Sequence, residues 1–109
     1  MQAILDKLQE NLQLIYRKAV DADNLLDSFQ KDGKGKFQTI FADSSPFKTR
    51  AKRFEPYVAE VCENMDAFTA LDFANTDKAQ IEQDLSVIVM QIEQLLSTLV
   101  QFKDSLKSQ

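Results

Sequence analysis

The sequence predicts an all-α fold: an antiparallel three-helix (up-down-up) bundle with heptad-like seams and a long connection between helices 1 and 2. Three observations predict it. Apolar residues recur at alternating steps of three and four through three long stretches. Only 2 Gly and 2 Pro occur in 109 residues, so turns are few and the segments between them are long. Hydrophobic residues make up 44% and charged residues 28%, the balance of one globular domain with one modest core spanning residues 1–109.

Helix 1 is predicted over about residues 3–29. Leu5, Leu8, Leu12, Ile15, Ala19, Ala22, Leu26 and Phe29 form an unbroken seam, which Ile4, Leu14 and Leu25 widen. Arg17, Lys18, Asp21, Asp23 and Asp27 read as a solvated face. Residues 30–46 form the irregular connection. Gly33 and Gly35 suit the end of helix 1, and Phe37, Ile40 and Phe41 suit a short turn packed on the bundle. At about 17 residues it exceeds the usual helix–helix loop.

Helix 2 is predicted over about 46–71. Ser45 reads as its N-cap and Pro46 as its first residue. Phe47, Ala51, Phe54, Val58, Val61, Met65 and Phe68 make one stripe. Pro56 cannot donate to the Lys52 carbonyl, so the helix must kink there, or break and restart near Glu55. A turn over 72–77 follows, with Asn75 or Thr76 as the next cap. Helix 3 is predicted over about 77–106 on Ile81, Leu85, Ile88, Ile92, Leu95, Leu99, Phe102 and Leu106, flanked by Val89, Leu96 and Val100. No run approaches the roughly 18 apolar residues of a membrane span, and the N-terminus lacks the basic start of a secretory signal. The expected setting is the bacterial cytoplasm, with no membrane partner.

Composition removes most catalytic chemistry. With no His there is no Ser/His or Cys/His pair, and most zinc sites are excluded. Glu60, Glu63 and Asp66 lack the Glu-x-x-His pairs of a di-metal bundle. The Lys-Asp-Gly-Lys-Gly-Lys run from Lys31 to Lys36 lacks phosphate-loop spacing. Cys62 reads as a buried inert thiol, Met65 and Met90 as core positions, and Tyr16 and Tyr57 as edge residues of the core. Neither an enzyme nor any cofactor or metal is expected.

Charge is the positive signal. The net charge is −4, yet residues 31–53 carry seven basic side chains against two acidic ones. Lys36, Phe37, Phe41, Lys48, Arg50, Lys52 and Arg53 interleave charge with rings. That composition suits an acidic, partly apolar peptide or single-stranded nucleic acid. It equally suits a helix that buries its rings and solvates its charges.

Two blocks carry a family resemblance. The first runs from Ile4 to Ile15 and on to Arg17. The second comprises Phe47, Thr49-Arg50-Ala51, Phe54, Val58, Glu60, Asn64, Met65 and Phe68, with Lys36-Phe37 upstream. Together they resemble the N-terminal domain of the primosomal replication protein PriC family (primosomal protein N″). Members are usually basic, and this chain is acidic. The resemblance implies a non-enzymatic adaptor of replication restart that helps load the replicative helicase (DnaB-like) at abandoned forks. It also implies contacts with the SSB C-terminal tail and single-stranded DNA, and puts Lys36, Phe37 and Arg50 in the helicase-contact region. The alternative reading is a small structural, regulatory or chaperone-like bundle that self-associates through its seams, so the chain is expected as a monomer or homodimer. Surplus apolar residues beside the seams of helices 1 and 3 favour a dimer or a partner groove, with Phe37, Ile40 and Phe41 as candidates for exposure.

Overall fold

The chain is described by a computed structural model over residues 2–31 and 45–107, with side chains described over 2–28 and 45–103. Within these residues it is all-α. Helix α1 spans Gln2–Lys31, α2 spans Glu55–Thr69 and α3 spans Lys78–Lys107, and each packs against the other two.

The up-down-up order follows from who meets whom. Asp23, late in α1, binds the backbone at Phe54 and Glu55 at the start of α2. Phe54 also meets Phe102, late in α3, with ring centroids 5.6 Å apart, while Asn64 in mid-α2 bonds Gln91 in mid-α3. Ala22 and Leu25 of α1 share a groove with Leu99 and Phe102 of α3. Hence α1 and α3 run parallel and α2 runs against both.

The three predicted stripes form the core. Leu5, Leu8, Leu12, Ile15, Ala19, Ala22 and Leu26 bury from α1, Val58, Val61, Met65 and Phe68 from α2, and Ile88, Ile92, Leu95 and Leu99 from α3. Burying each of the larger of these side chains removes roughly 1.5–3 kcal/mol worth of apolar surface from water.

Helix 2 requires a correction. It begins at Glu55, not at Pro46, and is 15 residues long. Pro56 therefore lies at the start of a new helix rather than at a kink within a longer one. There its missing N–H has no intrahelical partner to lose. Ser45 does not cap a helix; its hydroxyl accepts a long 3.4 Å bond from the Phe47 N–H in irregular backbone. Residues 45–54 form a strap instead, yet Phe47 and Phe54 still bury and Ala51 is half-buried. The three-four periodicity marked what is buried without marking the backbone that buries it.

The turn after α2 also differs in detail. Asp72 organises it, accepting the Ala74 N–H, the Asn75 side chain and the Asn75 N–H. The helical bonds of α3 begin at the Asp77 carbonyl, so Asp77 takes the cap position expected of Asn75 or Thr76.

α3 is more apolar than the uninterrupted-run criterion indicated. By length and composition alone, Lys78–Lys103 could cross a membrane, because its polar residues are mostly uncharged Gln, Ser and Thr. Its Ile88, Ile92, Leu95 and Leu99 nevertheless bury in the bundle, and much of the remaining apolar surface stays open.

Candidate functional site

The basic residues Lys48, Arg50, Lys52 and Arg53 all lie on the strap. The strap leaves its backbone N–H and C=O groups without a helical ladder, so each must find another partner. Side chains from all three helices supply several of these partners.

Glu60 of α2 is the central acceptor. Its carboxylate takes the Lys48 N–H at 3.0 Å on both oxygens and the Thr49 N–H at 2.7 Å. Gln91 of α3, 1% exposed, donates to Glu60 Oε2 at 2.9 Å and to the Pro46 carbonyl at 3.1 Å. Its own oxygen accepts from Asn64 Nδ2 at 3.0 Å. Partial burial pushes the Glu60 carboxyl up, but hydrogen bonds from Thr49, the Lys48 and Thr49 N–H groups and Gln91 outweigh it. The group lies below the ordinary carboxylate range.

Further along, the fully buried Tyr57 sends its hydroxyl to the strap. It accepts the Ala51 N–H at 2.9 Å and donates to the Ala51 carbonyl at 3.0 Å. Its ring meets Phe47 edge-on at 5.2 Å and 77°. Arg50 folds back, and Nη1 donates to the Phe47 and Thr49 carbonyls at 2.8 and 2.9 Å.

At the far end Asp23 of α1 replaces a missing cap. Phe54 occupies the N-cap position and has no polar side chain. Asp23, 3% exposed, accepts the Phe54 N–H at 2.7 Å on one oxygen and the Glu55 N–H at 3.0 Å on the other. A carboxylate at a helix start is also favoured by the helix dipole. Arg53 completes the cluster, 3.8 Å from Asp23 and 3.4 Å from Asp27. Among the described residues, no buried polar side-chain atom lacks a partner.

The clamp fixes the strap while its charges face water. Lys48, Arg50, Lys52 and Arg53 are all exposed. Lys48 contributes only its backbone to the clamp, and neither it nor Lys52 forms an ion pair among the described residues. A cleft of about 340 Å³ opens beside Lys48, Glu60, Asn64 and Asp84. The expected partner residues Lys36, Phe37 and Phe41, with Ile40, lie outside the described residues.

Several expectations change. Asp23 is a buried cap, not part of a solvated face. Cys62 is exposed rather than buried; partial burial and the nearby Asp66 charge push its thiol up, away from the thiolate. Met90 is exposed rather than core, and so is Tyr16, whereas Met65 and Tyr57 are buried. No three metal-ligating side chains converge among the described residues.

The clamp residues had signals. Gln91 stands three residues after Ile88 and four before Leu95, a polar residue on the seam. Asp23 stands four after Ala19 and three before Leu26 in the same way. A polar side chain at a seam position must find a partner in the core.

Comparison with family models, curated proteins and solved structures finds no match to this chain.

Proposed function

We propose that the chain is a non-enzymatic replication-restart adaptor that helps load the replicative helicase through protein–protein contacts made by the basic strap. One observation carries this. Phe47, Thr49, Arg50, Ala51, Glu60 and Asn64, which bear much of the resemblance to the PriC family, are the strap and clamp residues themselves. A cationic segment held in one conformation loses little entropy on docking, which favours recognition of an acidic partner surface. Short-range charge recognition at one end also fits a chain that is acidic elsewhere.

The test is binding to the host's replicative helicase, at low and moderate salt, by wild type and by K48E/K52E. These two positions leave the clamp's side-chain bonds intact. Salt-sensitive binding lost in the variant supports the reading. A folded wild type that does not bind at low salt overturns helicase docking. In that case binding to the SSB tail and to single-stranded DNA is measured next.

A further inference from the structure

The side of the bundle away from the strap carries a different surface. Where α1 and α3 run together, Ile4, Leu14, Leu25 and Val100 remain 43–52% exposed, beside the half-buried Leu85, Val89 and Leu96. A groove of about 410 Å³ opens there between Lys18, Asp21 and Leu25 of α1 and Val100 and Lys103 of α3.

The pattern of this face complements its own reversal. About Leu14, reversal of α1 exchanges Lys7 with Asp21 and Glu10 with Lys18, and brings Ile4 to within one residue of Leu25. About a point between Ile92 and Glu93, reversal of α3 exchanges Leu85 with Val100, Val89 with Leu96 and Glu82 with Lys103. Apolar positions meet apolar positions, and all three charged exchanges are of opposite sign. The two points lie near one level, because the groove that holds Lys18 to Leu25, 4 to 11 residues beyond Leu14, also holds Leu99 to Lys103, about 7 to 11 beyond the α3 point. A single two-fold axis can therefore pass through both. This is the signature of an isologous contact, in which one patch is its own complement.

We infer that a second copy of this chain docks antiparallel on the α1/α3 face. From Ile4 to Leu25 the face is about 32 Å long at 1.5 Å per residue. Two helices side by side are about 20 Å across. That footprint is at most about 640 Å² per copy, about 1,300 Å² in total, at the lower end of specific interfaces. None of the six charged residues forms an ion pair within its own chain among the described residues. Glu93 alone opposes its own copy near the axis. Val100 and the half-buried Leu85, Val89 and Leu96 of α3 are thereby covered by protein. The inference is independent of the strap, which lies on the α2 side.

Sedimentation equilibrium on the full chain tests it. Wild type gives a monomer–dimer equilibrium, and Leu14→Glu or Leu25→Glu weakens it by at least about 10-fold with helical circular dichroism unchanged. Glu82→Lys and Lys103→Glu each weaken the dimer, and the double variant restores it, because the two residues meet only across the axis. Glu93→Gln tightens it. A wild type that stays monomeric to concentrations on the order of 1 mM overturns the proposal. Binding of that monomer to phosphatidylcholine vesicles would give the face to a lipid surface instead. A dimer indifferent to Leu14→Glu and to the charge exchange also overturns it.

Discussion

The two sides of this bundle solve opposite problems. On the α2 side a stretch with no regular structure is held by polar side chains: Asp23, Glu60, Tyr57 and Gln91 meet the Lys48, Thr49, Ala51 and Phe54 N–H groups and the Pro46 and Ala51 carbonyls. On the α1/α3 side the backbone is fully helical, and apolar side chains lack cover. The first side has conformation without regular secondary structure, and the second has regular secondary structure without complete burial. Directional hydrogen bonds specify a unique shape, whereas apolar area only favours contact. A strap fixed in this way suits recognition of one partner geometry, and an apolar face suits a broad helix-to-helix contact.

Substitutions separate the two sides, and the largest effect is expected where the strap enters the core. Phe54→Ala removes a ring that is 2% exposed and packed on Phe102, and is expected to cost about 3–5 kcal/mol in urea unfolding. A loss under 1 kcal/mol would mean the strap is not integral to the core. Asp23→Ala strands two N–H groups at the start of α2, with an expected cost of about 1–3 kcal/mol. Amide exchange at Phe54 and Glu55 should accelerate more than exchange in mid-α3; uniform acceleration would argue against a local cap. Tyr57→Phe keeps the ring and loses the Ala51 bonds, for about 1–2 kcal/mol.

Glu60 gives the clamp a pH dependence. Its folded value lies below its unfolded one, so its stabilisation is complete above the ordinary carboxylate range and is lost as pH falls through the folded value. Glu60→Gln should flatten the acid limb of stability against pH; an unchanged limb would assign it to other carboxylates. The smallest effect is expected on the other side. Leu25→Ser, at a half-exposed position, should leave the stability of dilute protein within about 0.5 kcal/mol. A larger loss would show that the α1/α3 face is already core.

The sequence made the helices legible because burial imposes a period, and most described residues at that period are buried, with Ile81, Leu85 and Phe102 half-buried and Phe29 and Leu106 outside the described side chains. It misled over 46–54 for the same reason. Phe47, Ala51 and Phe54 keep helical spacing, but the strap's shape is set by Glu60, Tyr57 and Asp23, partners 6 to 31 residues away. Local patterns do not encode such distant acceptors. Pro56 was the local clue, and the restart near Glu55 was the branch the chain takes. For the site, the basic cluster was visible as charge, while its support was hidden in residues that look like ordinary surface acids and amides. Asp23 and Gln91 could have been found by asking why a polar residue interrupts a seam.

The Asp23 cap bears on how the molecule folds and fails. A 15-residue helix with proline near its start and no capping side chain of its own is marginal in water. Its first N–H groups are satisfied only after α1, 31 residues upstream, has come alongside. α2 is thus a helix of tertiary origin, acquired at docking rather than in a local nucleus. Strap and α2 share that acceptor, so a fluctuation that separates α1 from α2 releases both together. The basic surface then exists only in the cooperatively assembled molecule, and partner binding will be lost in step with global unfolding rather than by gradual fraying.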